Sequence, residues 1–202
     1  FKLMVEEARQ SVLDDERFRD AELSEAGRAM TAHARSKIRH LIQQGLPKPT
    51  CLLVSPLRRT LETASLIFPG HDNAHVREIL QERRTGFPCD ARSTAESVLT
   101  SEQFAFMSFN KLKQIDKYRS QFVTVNSAEA KKDVRSRSKL LTELLRPIED
   151  ESVALVTHKG FLRELERGPL NQVDAKEFDN CEVRVYQVSI APSGDMTMKA
   201  VR

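Results

Sequence analysis

Apolar residues along this chain fall into short runs and stripes punctuated by glycine and proline, and the spacings predict its elements. After Ser24, a residue suited to capping a helix, Met30, Ala34, Ile38, Leu41 and Ile42 recur with helical spacing. A long amphipathic helix is therefore expected up to Gly45, with Pro47 and Pro49 preventing its continuation. The run CLLVS at 51–55 reads as a short buried strand ended by Pro56. LRRTLETASLIF, 57–68, reads as a helix that Pro69 and Gly70 terminate. HVREIL at 75–80 is expected as a strand and TGFPCDARST at 85–94 as a loop, while residues 1–20 are charged and only weakly helical.

Residues 95–126 contain Phe104, Phe106, Met107 and Phe109 without a clean period, which suggests an inserted, lid-like segment of helical turns. A long helix is expected over 127–145, with Val134, Leu141, Leu144 and Leu145 inward and its basic run KKDVRSRSK on a solvated face. No aromatic residues interleave that run, so it does not read as a nucleic-acid surface. A strand is predicted at 152–157, then a short helix from Phe161. EVRVYQVSI, 182–190, alternates as a half-buried strand that pairs with MTMKAV, 196–201, across the Pro192-Ser193-Gly194 turn. Helices alternating with short apolar strands indicate a three-layer α/β/α sandwich around a mostly parallel sheet. Ligands bind such sheets beyond the carboxyl ends of their strands, and the strands at 51–55 and 152–157 both end in chemically loaded turns.

Composition narrows this picture modestly. The 202 residues suit one domain, and a hydrophobic fraction of 40% suffices for a sizeable core. No stretch has the roughly 18 apolar residues of a membrane span, and a net charge of +3 demands neither nucleic acid nor a membrane surface. Cys51, Cys89 and Cys181 are odd in number, far apart and in no metal-ligand spacing, which favours reduced thiols in an intracellular, cytoplasmic protein. The chain opens at Phe1 in what reads as the middle of a polar helix, so it is expected to be a fragment, with any targeting peptide upstream.

Three stretches carry candidate chemistry. In SPLRRTLETA, Ser55 to Ala64, a strand hands over to a helix whose first turn bears Arg58 and Arg59. Free N–H groups at a helix start and a guanidinium fork both suit phosphate or carboxylate oxygens, with one arginine facing the site and the other solvated. An ordinary surface helix with ion pairs to Glu62 is the alternative reading. In LQERRTGFPCD, Leu80 to Asp90, Glu82 lies just past a strand and is a candidate general acid or base. Arginines nearby would lower its pKa, so acid duty requires burial or a bound phosphate; pairing to Arg83 or Arg84 is the structural alternative. In SVALVTHKGFLREL the strand delivers Thr157, His158, Lys159 and Gly160 to a turn.

Together, DAELSEAGRAMTAHA, SPLRRTLETA, LQERRTGFPCDAR and VTHKGFLRELE resemble, in order and spacing, the histidine phosphatase superfamily with its phosphoglycerate-mutase-like fold. NCEVRVYQV looks like that family's last core strand, and the resemblance covers roughly residues 20–190. It implies that Arg59 clamps phosphate, that Arg58 is the likelier bystander, and that His158 is the second pocket histidine, holding phosphoryl oxygens. It implies further that Glu82 donates a proton to the leaving group, with Asp90 as a secondary acidic candidate. Ser55, Arg58, Thr157, Lys159, Gly160 and Asp90 are the accompanying candidates for substrate contact. Lys159 stands where a small residue is commoner, and it either touches phosphate or points to solvent. Leu23 and Gly27 are structural matches.

One element of the family pattern is absent. The nucleophilic histidine of an Arg-His-Gly motif, carried by the first central strand, is not in the chain; His33 and His40 lie within a predicted helix, and His71 and His75 flank a loop. The resemblance thus implies a metal-independent phosphomonoester hydrolase acting through a phosphohistidine, its first strand and nucleophile expected upstream of residue 1. The fragment itself is expected to be nearly inactive, and its substrate is expected to be a small phosphorylated molecule or a phosphoprotein. Phosphoglycerate-mutase-type transfer and a non-catalytic relative that binds phosphate or a partner are the alternatives.

Overall fold

The computed structural model describes residues 10–119, 128–149, 152–170 and 172–201; the expectations for 1–9 and 120–127 fall outside them. Four short strands, β1 (Cys51–Val54), β2 (Ala74–Val76), β3 (Met107–Ser108) and β4 (Val153–Val156), form a parallel sheet in the order β3-β2-β1-β4. Strand β1 lies inside the sheet and is buried on both faces, as central parallel strands are. Alternation assigns its side chains to two layers. Leu52 and Val54 enter one core with Leu61 and Ala64 of α2 (Arg58–Ile67), and Cys51 and Leu53 enter the other. That second core contains Val134 and Leu141 of α5 (Lys131–Leu145) and Phe161 and Leu165 of α6 (Lys159–Arg167). The expected α/β architecture is present.

Helix α1 (Glu25–Gln43) begins where Ser24 Oγ accepts the Gly27 amide, so the predicted cap is real. The segment before it is tied down by charge. Asp20, nearly fully buried, accepts the amides of Arg58 and Ser93, each at 2.8 Å, and Glu62 accepts the Leu23 amide and pairs with Arg28 at 3.0 Å.

Four expectations change. The strand foreseen over 75–80 stops at Val76, level with Val54 where its neighbour β1 ends, and gives way to a 3-10 turn, Glu78–Leu80. The helix foreseen from Phe161 starts at Lys159. The lid-like segment is, as far as Leu112, part of the core. It contributes α3 (Ala95–Val98), β3 and the start of α4 (Asn110–Arg119), and buries Phe104, Met107, Phe109 and Leu112 against the sheet. Arg92, with no exposed side-chain surface, fastens it through Glu78 at 2.6 Å and Asp116 at 2.7 Å. Finally, the strand expected over 182–190 spans only β5 (Tyr186–Ile190); it pairs antiparallel with β6 (Met196–Ala200) in a separate two-stranded sheet.

The outer side of β4 is open among the described residues. The Ser152 and Val156 carbonyls face β1, accepting from Thr50 and Ser55, each at 2.9 Å. With a period of two, Val153 and Leu155 turn their main-chain groups the other way, where no described strand pairs with them. A cleft of about 1550 Å³ occupies this side, lined among others by Ala34, Ile38 and Leu41 of α1, Leu155 of β4, Leu162 of α6 and Val188 of β5. No described helix is long and apolar enough to cross a membrane.

Candidate active site

Strands β1 and β4 run side by side with Val54 opposite Val156, so the residues after them, Ser55 and His158, emerge at the same sheet edge. Ser55 Oγ is 2.7 Å from His158 Nε2, and both residues are buried. Burial disfavours the charged imidazole, and the guanidinium groups of Arg59 and Arg137 disfavour it further, so the His158 pKa is pushed well below the usual histidine value. His158 is a neutral imidazole in the lining of the cleft, which Arg59, Glu82, Thr157 and Lys159 also line.

The two arginines of the 55–64 stretch part company. Arg59 turns toward His158 and is held by the Cys89 carbonyl at 2.8 Å and by Asp90 Oδ1 at 3.1 Å. Arg58 turns away, to Glu22 at 2.6 Å and Glu62 at 3.7 Å, the ion-pair arrangement of the surface-helix reading. Its place among the substrate contacts is corrected: its guanidinium is taken by Glu22 and Glu62, while its main-chain amide is held by Asp20. Both Asp90 carboxylate oxygens are engaged, one by Arg59 and the other by the Thr85 hydroxyl at 2.6 Å, so Asp90 orients the arginine.

Glu82 overhangs the same edge. Its Oε2 accepts the Gly160 amide at 3.1 Å and its Oε1 the Arg83 amide at 2.7 Å, which seats the carboxylate on the first turn of α6. A Cβ at 160 would run into Glu82 Oε1, so any larger residue there must displace the carboxylate. The contact with Arg83 runs through its main-chain amide, and so differs from the side-chain pairing foreseen as the alternative. Thr157 donates its hydroxyl to the Leu80 carbonyl at 2.6 Å, tying the end of β4 to the Glu82 loop. Lys159, half-exposed, pairs with Glu177 at 2.8 Å, which holds that carboxyl at a pKa of about 2. Ser55 has no exposed surface and acts on His158 from behind.

The arrangement has a neutral imidazole, a guanidinium and a carboxyl around an opening at the carboxyl edge of a parallel sheet, and such a set can bind and neutralise an oxyanion. Among the described residues no group of three or more His, Cys, Asp or Glu side chains could hold a metal ion. One residue that the sequence reading passed over is Arg137, assigned there to a solvated face. Val134, Ser138 and Leu141 are buried, and Arg137 falls within that stripe at i+3 from Val134, a signal present in the periodicity.

The sheet order, flanking helices and loaded edge define an α/β protein of the phosphoglycerate-mutase-like fold. The chain belongs to the histidine phosphatase superfamily (branch 1), whose pattern matches residues 15–193. Among solved structures it is similar to a mycobacterial glucosyl-3-phosphoglycerate phosphatase in its native form, at 20% identity and a TM-score of 0.59, covering 90% of this chain and 87% of that one. A vanadate (VO3) complex of the mycobacterial glucosyl-3-phosphoglycerate phosphatase aligns at 21% identity and a TM-score of 0.57, covering 90% and 86%. A protein described as mycobacterial hydrolase 1 aligns at 20% identity and 0.59, covering 91% and 86%. No curated protein matches the sequence. Membership of this superfamily supports phosphatase-type chemistry.

Proposed function

We propose that the chain forms the phosphate-handling part of a phosphomonoester hydrolase working through a phosphohistidine, with the attacking histidine supplied from upstream of Phe1. The observation that carries this reading is the buried, neutral His158, backed by Ser55 and flanked by Arg59 at the sheet edge. The side of β4 on which no described strand pairs, and the apolar cleft beside it, support the second half: an extended segment paired there would deliver its last residues next to His158. In this reading the incoming imidazole nitrogen attacks phosphorus and the bond to the alcohol oxygen breaks. Arg59 and His158 take up the charge of the transferring group, and protonated Glu82 gives its proton to the departing alkoxide. Water then attacks phosphorus, giving a proton to the Glu82 carboxylate, and the phosphorus–nitrogen bond breaks, releasing orthophosphate and freeing the histidine. Small phosphate esters are the substrates and the protein works in the cytoplasm, with no metal required.

The test is p-nitrophenyl phosphate hydrolysis by two proteins: the 202-residue chain, and the chain extended by whatever its gene encodes upstream. Little or no turnover is expected from the first. Turnover that falls at least 100-fold on Arg59→Ala or His158→Ala is expected from the second. Robust turnover by the short chain, lost on His158→Ala alone, would show that His158 is itself the nucleophile. An extended chain that binds orthovanadate without hydrolysing any ester would identify a non-catalytic relative instead.

A further inference from the structure

The loop that carries Glu82 has no regular structure of its own. After the 3-10 turn at 78–80, residues 81–85 belong to no helix or strand, so their carbonyls need donors from elsewhere. Arg137, on α5, supplies them. Its Nη1 donates to the Ile79 and Gln81 carbonyls, each at 2.7 Å, and its Nη2 to the Glu82 carbonyl at 3.3 Å. Its Nε and Nη2 also form a two-pronged pair with Glu129, at 3.0 and 2.8 Å. A guanidinium has five N–H donors, and these contacts use all of them. Nothing is left over for a substrate.

Glu129 completes the arrangement from the other side. It is buried, its amide donates to the Arg84 carbonyl at 2.7 Å, and its Oε2 accepts the Arg84 amide at 3.3 Å. The pair therefore grips the loop at residues 79, 81, 82 and 84. It also reaches α6, because the Arg137 guanidinium lies over the ring of fully buried Phe161, 5.5 Å from its centroid. Loop and helix are thus referenced to one group, and the loop's carboxylate meets the helix's first turn at Gly160.

We infer that Arg137 and Glu129 are positioning residues that set the Glu82 carboxyl on the first turn of α6, beside His158. This rests on the functional reading above for what Glu82 does, but not for where it sits. A lysine at 137 keeps the charge and loses the fork that matches three carbonyls and a carboxylate. Charge alone is insufficient for the alignment.

The experiment reads the Gly160 amide by 15N NMR and hydrogen exchange in the 202-residue chain, with Glu82→Ala defining the signal of a released amide. Arg137→Met is expected to move the Gly160 shift at least halfway to the Glu82→Ala value and to speed its exchange about tenfold or more. Arg137→Lys is expected to recover part of both. Leu112→Ala, which loosens the opposite core layer, is expected to leave the Gly160 signal in place at a comparable loss of thermal stability. Should Arg137→Met fail to fold, Glu129→Gln carries the same expectation in weaker form. A Gly160 amide unchanged in the folded position-137 or position-129 variants would overturn the proposal, as would an equal displacement in Leu112→Ala. No step requires turnover, so failure of the hydrolase reading would show separately, in the ester assay.

Discussion

Ser55 and His158, 103 positions apart in sequence, meet through a 2.7 Å hydrogen bond with both groups buried. The contact follows from adjacent parallel strands in register, since Val54 opposite Val156 brings the following turns together. It orients the imidazole without occupying the cleft. Ser55→Ala leaves a buried ring nitrogen without this partner, so a loss of about 1–3 kcal/mol is expected in urea unfolding. A change within error would mean that the ring finds another partner.

Stability should also depend on pH through His158. Its folded pKa lies well below 6.5, so the unfolded chain takes up the proton first as pH falls. The neutral buried ring therefore contributes fully above about pH 6.5, and that contribution is lost progressively as pH drops toward the folded value. Between pH 7.5 and 5, wild type should lose stability more steeply than His158→Gln, by at most about 1.4 kcal/mol per pH unit. Parallel curves would show that the folded ring is protonated as readily as the unfolded one.

Gly160→Ala is expected to expel Glu82 from its seat, because the new methyl runs into Glu82 Oε1. A cost of roughly 1–3 kcal/mol is expected. In a Glu82→Ala background that cost should shrink markedly, since the atom in the way is gone. A double-mutant cycle measures the coupling, and additive effects would place the strain elsewhere.

Arg92 is the ionic fastener of the 95–112 region, with no exposed side-chain surface and two carboxylate partners. Arg92→Met removes a buried cation and its pairings with Glu78 and Asp116, so about 3–5 kcal/mol of stability should be lost. Replacing Asp116 by Asn as well should restore part of it. Chemical denaturation of the two variants checks this; a loss below about 1 kcal/mol in the single variant would show the carboxylates to be well solvated without it.

The elements were legible because their signals are local. The apolar runs at 51–54 and 153–156, the Ser24 cap and the punctuation at Gly45 and Pro69-Gly70 act within a few residues, and the structure has them where periodicity puts them. The order of the Ser55, Arg59, Glu82 and His158 motifs was equally readable, and the sheet brings these residues to one edge. Other features depend on partners distant in sequence. Arg58 and Arg59 are chemically alike and adjacent; Glu22 and Glu62 claim one, Cys89 and Asp90 the other. Residues 95–112 lack a period because they pack as single turns against a sheet whose other strands come from elsewhere, so a lid and a core layer look the same in sequence. Arg137 sat in a basic run and read as solvated, and only the irregular carbonyls of residues 79–82 make its burial favourable. Periodicity and capping are properties of neighbours along the chain. The choice of partner for a charge is a property of what folding brings within about 3 Å of it.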